Sequence, residues 1–121
     1  MKENIIVTKS EDFSIKIIKL YKYLCFEEKE YVLSKQILKS GTSIGANINE
    51  AVCGVSKNDF LSKMYISFKE CNETMYWLRL LFRSDYIDIN DFNSLTNDCL
   101  ELRNILSSIT KSTSENIKIN S

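Results

Sequence analysis

The chain has 121 residues, of which 44% are hydrophobic and 26% are charged, and it contains no proline and no histidine. The missing histidine excludes Ser-His-Asp and Cys-His catalytic systems and histidine-bearing metal sites. Sixteen basic residues are balanced by sixteen acidic ones, so the chain has no large positive field for holding a phosphate backbone, and strong non-specific nucleic-acid binding is disfavoured.

Length and hydropathy predict one domain over residues 1–121, large enough to bury its own core. No window approaches the ~20 apolar residues of a membrane span. The apolar run Ile5 to Val7 is too short for a signal segment, so we expect a cytoplasmic protein. The absence of proline and the presence of only three glycines favour long helices with short joins.

The first predicted helix covers residues 10–28, after a leader at residues 2–9 that we expect to be frayed or lightly extended. Ser10 is a suitable N-cap, and Glu11 and Asp12 follow it in the positive first turn. The apolar residues of this helix recur at helical spacing and are Phe13, Ile17, Leu20, Tyr21 and Leu24.

Lysines line the other side of the first helix at Lys16, Lys19 and Lys22. One interpretation is a stripe that contacts the phosphates of a nucleic acid, and the other is a solvated helix face. We favour the solvated face, because the acidic run 27–30 lies close by.

The second predicted helix covers residues 32–55, and Gly54 is well placed to end it. One apolar stripe contains Ile37, Gly41, Ile44, Ile48, Ala51 and Val55. A neighbouring stripe of small or hydrogen-bonding residues contains Gln36, Ser40, Ser43, Asn47, Glu50 and Gly54. Gly41 and Gly45 each cost a solvated helix roughly 0.5–1 kcal/mol relative to alanine, so they indicate a backbone that another helix approaches closely.

The third predicted helix covers residues 57–83, with Ser56 as its N-cap and Asp59 in a capping-box position. Its core side is predicted to contain Phe60, Leu61, Met64, Phe68, Cys71, Met75, Leu78 and Phe82.

The opposite side of the third helix is also partly apolar, since Ile66, Trp77 and Leu80 lie there with Glu73 among them. A small four-helix domain cannot cover a helix that is apolar on two sides, so we expect a second copy of the chain to cover the excess. Ile66, Glu73, Trp77 and Leu80 are therefore the predicted oligomer interface, with Arg79 as a further anchor candidate.

The fourth predicted helix covers residues 90–110, with Asn90 as its N-cap and a loose tail at residues 111–121. Its core stripe is predicted to contain Phe92, Leu95, Cys99, Leu102, Ile105, Leu106 and Ile109. Four helices joined by short segments predict an all-α four-helix bundle.

Two carboxylates beside apolar stripes, Glu50 and Glu73, allow two interpretations. They are either an acid–base or metal-binding pair, or members of a structural polar network with Ser43 and Asn47 that fixes helix register and subunit pairing. We favour the network, because carboxylate metal sites in helical bundles also need histidine. Since a buried carboxylate needs a partner, a group such as Lys39, Arg79 or a backbone amide is expected within reach.

The four cysteines, Cys25, Cys53, Cys71 and Cys99, lie far apart in the sequence, one in each predicted helix. Such spacing favours reduced, buried thiols over a four-thiolate zinc site, whose ligands normally come in close pairs. We expect no cofactor and no metal.

Three motifs resemble a bacterial four-helix-bundle family whose founding members are encoded in intervening sequences of 23S ribosomal RNA genes. The family pattern is S-I-x-x-N-I-x-E-A/G, then S-x-x-[DE]-F, then K/R-E-x-x-E-T-x-Y-W-L-x-L. It is matched here by Ser43, Ile44, Asn47, Ile48, Glu50 and Ala51, by Ser56, Asp59 and Phe60, and by Lys69, Glu70, Glu73, Thr74, Tyr76, Trp77, Leu78 and Leu80. The resemblance runs from about Phe13 to Lys111.

The resemblance implies an antiparallel up-down-up-down bundle that assembles into a homopentameric ring, without an established enzyme activity. A branch of similar fold, the accessory protein of diversity-generating retroelements, is a basic pentamer that binds a reverse transcriptase and nucleic acid. This chain differs from that branch by its zero net charge. We therefore expect a non-enzymatic oligomeric scaffold, and the alternative is an RNA- or DNA-binding accessory module that works with a ribosomal RNA or a reverse transcriptase.

Overall fold

A computed structural model describes residues 2–120, with side chains described from Ile5 onward. Four α-helices account for most of this range and contain all its regular structure, without a strand: α1 (Lys2–Phe26), α2 (Leu33–Val52), α3 (Lys57–Arg83) and α4 (Ile89–Asn120). Over those residues, none of the helices has the combination of length and hydropathy that a membrane crossing requires.

Each helix packs against two others. Helix α1 packs on α2, α2 on α3, and α3 on α4, and α4 packs back on α1. This arrangement is consistent with a four-helix bundle. Apolar side chains from all four helices meet in one core, whose members with no measurable exposure include Ile17, Ile44, Leu78 and Leu106. The predicted core stripes supply most of this cluster, because each follows the 3.6-residue period of its helix.

Two glycines of α2 face α1, as the sequence predicts. A Cβ atom at Gly41 would lie 2.8 Å from both Cγ atoms of Ile17, and one at Gly45 would lie 3.3 Å from the hydroxyl oxygens of Ser10 and Ser14. A side chain at Gly41 would overlap Ile17, so the close approach of α1 and α2 depends on the missing Cβ. The prediction that another helix reaches these positions is confirmed.

The start of α1 differs from the prediction. The helix begins at Lys2 instead of Ser10, so residues 2–9 are helical and not a frayed leader. Ile6 is fully buried in the core, and this burial supports the extra two turns. Ser10 lies inside the helix, where its hydroxyl donates to the Val7 carbonyl oxygen at 3.0 Å, and it is not an N-cap.

Both ends of α4 differ as well. The helix begins at Ile89, and the Asp88 carboxylate accepts the Asp91 backbone N–H at 2.8 Å, so Asp88 takes the capping role assigned to Asn90. The helix continues to Asn120, which replaces the loose tail predicted from residue 111, and Ser121 lies outside the described residues. Thr113, Ser114 and Ile117 are half-buried, and their packing supports this extension.

The boundaries of α2 are tighter than predicted. The helix ends at Val52, and Val55, assigned to its apolar stripe, is 94% exposed in the join that follows. The predicted N-cap of α3 is confirmed, because the Ser56 hydroxyl accepts the Asp59 backbone N–H at 3.1 Å. At the start of α2, the Glu30 carboxylate accepts the N–H groups of Leu33 and Ser34 at 3.0 and 2.7 Å, a cap the sequence did not reveal.

Candidate interaction surface on α2 and α3

The polar groups buried between α2 and α3 complete their hydrogen bonds within the chain. The Thr74 hydroxyl donates to the Ser40 hydroxyl at 3.1 Å, and the Ser67 hydroxyl donates to the Ile44 carbonyl oxygen at 2.8 Å. All three hydroxyl side chains are at most 1% exposed. Sequence reasoning missed Ser67 and Thr74, although hydroxyls seven residues apart within the stripe of Met64, Cys71 and Leu78 were the available signal.

Two members of the predicted polar network bond to their own helix instead of to each other's side chains. The Ser43 hydroxyl donates to the Lys39 carbonyl oxygen at 2.6 Å, and the Asn47 amide donates to the Ser43 carbonyl oxygen at 2.8 Å. Both residues are half-buried. Within the chain, therefore, Ser43 and Asn47 do not tie α2 to α3 through these bonds.

The two carboxylates of the predicted network, Glu50 and Glu73, contact different residues. Glu50 is exposed and pairs with Lys63 at 3.4 Å, not with the expected Lys39 or Arg79. Glu73 is exposed and lies beside Glu70, a residue the sequence reasoning left out of the network.

Glu70 connects the two helices at the outer surface. Partial burial raises the pKa of its carboxyl, the nearby Ser43 side chain opposes that shift, and the nearby charge of Glu73 adds to it. Ser43, Glu70 and Glu73 thus form a cluster at the surface between α2 and α3, with Lys39 close enough to act on the same carboxyl. We call these four residues the outer cluster.

Aromatic side chains lie on α3 next to the outer cluster. Trp77 is half-buried, and its ring meets that of Tyr76 edge-on, with centroids 5.0 Å apart. Among the described residues the buried Trp77 Nε1 has no hydrogen-bond partner. Ile66 is 39% exposed, Tyr76 is 47% exposed and Leu80 is half-buried.

We define the α3 face as Ile66, Glu73, Tyr76, Trp77 and Leu80. It contains every residue of the predicted oligomer interface, at helical spacing along one helix. The additional anchor candidate, Arg79, is exposed on the same helix. The face combines partly exposed apolar and aromatic groups with a carboxylate.

The predicted lysine row does not form a uniform positive stripe. Lys16 forms an ion pair with Asp98 and donates to the Ser94 hydroxyl at 2.9 Å. Lys19 lines a shallow cavity of about 300 Å³ together with Asp91, and Lys22 is exposed. Carboxylates of α4 thus lie beside two of the three ammonium groups.

The four cysteines occupy different environments. Cys71 and Cys99 are buried together, with the Cys99 thiol 3.4 Å from the Cys71 carbonyl oxygen, whereas Cys25 is half-buried and Cys53 is exposed. The neighbouring Cys99 thiol, and then burial, raise the pKa of Cys71, which keeps it protonated. In the described part of the chain, no three potential metal-ligating residues among Cys, Asp and Glu converge.

Comparison with known proteins identifies the family. The family model described as "23S rRNA-intervening sequence protein" matches residues 2–108. Among solved structures, the chain is similar to a protein of unknown function from the S23 ribosomal protein family of Bacteroides thetaiotaomicron VPI-5482. The two share 51% sequence identity and a TM-score of 0.91, over 92% of this chain and 99% of that one. A search of curated proteins finds no match.

The family match covers the whole of α1, α2 and α3 and the first 20 residues of α4. It covers the motifs that carry the resemblance, and the structural similarity extends over nearly the whole of both chains. Neither description names a catalytic activity. The chain belongs to the 23S rRNA-intervening sequence protein family.

Proposed function

We propose that this protein is a non-enzymatic cytoplasmic scaffold whose copies associate through the α3 face. The observation that carries the proposal is the environment of Trp77, a large aromatic residue that is half-buried among the partly exposed Ile66, Tyr76 and Leu80. Tryptophan and tyrosine dominate the energetics of protein interfaces, because they bury a large apolar area and offer a polar group to the partner.

The carboxylates next to the α3 face support the same proposal. The charge of Glu73 adds to the burial that raises the pKa of the neighbouring Glu70, so this pair would gain from a cation of a second copy.

An antiparallel up-down-up-down topology is part of the proposal, and the contact pairs between helices support it. Residue numbers rise along one helix as they fall along its partner: Ser40 meets Thr74 while Ile44 meets Ser67. Between α1 and α4, Lys9 meets Glu101 while Lys16 meets Asp98.

A pentameric ring, as the family resemblance implies, would place the α3 face against a different patch of the next copy. Closed rings require such heterologous contacts, in which the two sides of the interface are not the same surface. A two-fold dimer would instead bring the α3 face against itself, with the carboxylates of two copies close together.

The association proposal is tested by Ile66→Glu, which puts a charge into the α3 face. We expect wild-type protein to have an oligomeric mass by size-exclusion chromatography with light scattering at micromolar concentration, and Ile66→Glu to have the monomer mass. The matched control is Ile119→Glu, which makes the same change at an 82% exposed position near the end of α4 and should keep the oligomer. A stable wild-type monomer would refute the proposal.

The alternative, an RNA- or DNA-binding accessory module, has narrower support. Lys19 and Lys22 are exposed, but Asp98 pairs with Lys16 and Asp91 lies in the same cavity as Lys19. Each ammonium group that is paired with a carboxylate releases fewer counterions from a phosphate backbone. We therefore place self-association first.

A further inference from the structure

Two of the four cysteines lie opposite each other where α3 packs on α4. The thiol of Cys99 on α4 lies 3.4 Å from the backbone carbonyl oxygen of Cys71 on α3, so the Cys99 side chain reaches across the space between the two helices. The Cys99 thiol is also the largest cause of the raised pKa of Cys71, because the two thiols are neighbours. Neither the α3 face nor the proposed association uses this pair.

Further contacts between the same two helices hold the cysteines in register. Beside the pair, the Arg103 guanidinium donates to the Asn72 side-chain oxygen at 3.2 Å. Further along α3, the rings of Phe82 and Phe92 stack with their centroids 4.5 Å apart. A disulfide forms only where two cysteines face each other with Cα atoms no more than about 7 Å apart. The fixed register keeps the two thiols opposite each other, as a bond between them requires.

Burial decides when this pair can react. Cys71 and Cys99 are both 0% exposed, so an oxidant does not reach them in the closed bundle. The raised pKa of Cys71 also keeps its thiol protonated, whereas the thiolate is the form that attacks an oxidant. Local opening between α3 and α4 exposes both thiols together, because each helix carries one of them.

The other two cysteines lack such a partner within the chain. The Cys25 thiol lies 3.7 Å from the Ser34 hydroxyl at the start of α2, whereas Cys53 follows the last residue of that helix. An α-helix rises about 1.5 Å per residue, so Ser34 and Cys53 are roughly 28 Å apart. Cys25 and Cys53 therefore serve as a control pair that cannot form a disulfide inside one folded chain.

We propose that Cys71 and Cys99 form a redox latch, in which hydrogen peroxide oxidises the two thiols to a disulfide that fixes α4 to α3. One thiolate attacks a peroxide oxygen, which gives a sulfenic acid as the O–O bond breaks and hydroxide leaves. The second sulfur then attacks the sulfenic sulfur, so the S–S bond forms and the oxygen leaves as water. In total, two thiols and one peroxide give one disulfide and two waters. The latch does not depend on self-association.

The test treats full-length protein carrying Cys25→Ser and Cys53→Ser with hydrogen peroxide, in buffer and in urea below the unfolding transition. Iodoacetamide in strong denaturant then labels the remaining thiols, and intact mass spectrometry counts them. We expect a product that has lost two hydrogen atoms, takes no label and is restored by dithiothreitol. Because opening limits the reaction, urea should speed it by about tenfold or more. The disulfide should also shift the urea midpoint upward, since it restricts the unfolded chain.

The matched control carries Cys71→Ala and Cys99→Ala and keeps Cys25 and Cys53, and it should form no disulfide within a chain. Circular dichroism would verify that both proteins remain folded. The proposal is overturned if peroxide leaves both buried thiols free in buffer and in urea, or if it gives only sulfinic and sulfonic acids. It is also overturned if urea does not speed the reaction, if the disulfide lowers the urea midpoint, or if the control forms an intramolecular disulfide equally well.

Discussion

The two sides of the α2–α3 seam differ in how their polar groups are satisfied. On the inner side, Ser40, Ser67 and Thr74 are fully buried, and their hydroxyls form hydrogen bonds within the chain. On the outer side, the half-buried Glu70 lies beside the like charge of Glu73.

This difference separates residues that stabilise the single chain from residues that, under our proposal, lie at an interface between copies. A buried hydroxyl that forms a hydrogen bond between two helices fixes their register, so it stabilises the single chain without a partner. Under our proposal, the two adjacent carboxylates Glu70 and Glu73 gain a cationic partner only when a second copy binds. The same two helices thus serve folding on one side and, under our proposal, association on the other.

The largest effect is expected on the inner side, from Thr74→Val. The change removes the donor to the buried Ser40 hydroxyl, so we expect a loss of about 1–3 kcal/mol in the free energy of unfolding, measured by urea denaturation. Thr42→Val is the matched control, because the Thr42 hydroxyl bonds only to carbonyl oxygens of its own helix. Equal losses in the two variants would remove the distinction between inner and outer polar groups.

A smaller effect is expected from Gly41→Ala at the α1–α2 seam. The new methyl group would overlap Ile17, and overpacking of this kind costs about 1–3 kcal/mol, partly offset by the roughly 0.5–1 kcal/mol that alanine gains in a helix. We expect a net loss of about 1 kcal/mol in the free energy of unfolding. Gly45→Ala, whose Cβ would meet only hydroxyl and carbonyl oxygens at 3.3 Å or more, should lose less or gain. A stabilised Gly41→Ala protein would show that α1 and α2 are not in close contact there.

The smallest effect is expected on the outer side, from Glu70→Gln as a function of pH. Because burial raises the folded-state pKa of Glu70 above its ordinary value of 4.5, the carboxyl contributes stability below about pH 4.5 that is lost as the pH rises through the folded pKa. Glu70→Gln should therefore be more stable than wild type near neutral pH, and this advantage should disappear in acid.

Urea denaturation at a series of pH values, at one protein concentration, measures that difference. The exposed, non-titrating change Gln36→Ala serves as the control. An advantage of Glu70→Gln that instead grew towards acid pH would mean that a cation stabilises Glu70, as a partner copy would supply.

Much of the fold could be predicted from local patterns. The apolar stripes located the four helices and most of the core, and the sequence Ser56 to Asp59 predicted a cap that the structure contains. Gly41 also indicated its own role, because a glycine inside a helix otherwise lowers helix stability. Such features depend on the residues of a single helix.

Features that depend on tertiary packing were predicted less well. Helix α1 extends to Lys2, where Ile6 is buried, and α4 extends to Asn120, where Ile117 is half-buried. The polar residues around both segments had favoured frayed ends. Likewise, the helical period alone could not show that Ser40 faces the interior and Ser43 the outer surface, since the two lie three residues apart on the same polar stripe. The position of α3 against α2 decides which of them is buried.

The mass of the wild-type protein in solution tests the central claim most directly. Light scattering after size-exclusion chromatography, over a range of micromolar concentrations, should give a multiple of the 14.1 kDa chain mass, because our proposal has a second copy cover the α3 face. A mass of one chain at every concentration would contradict the account.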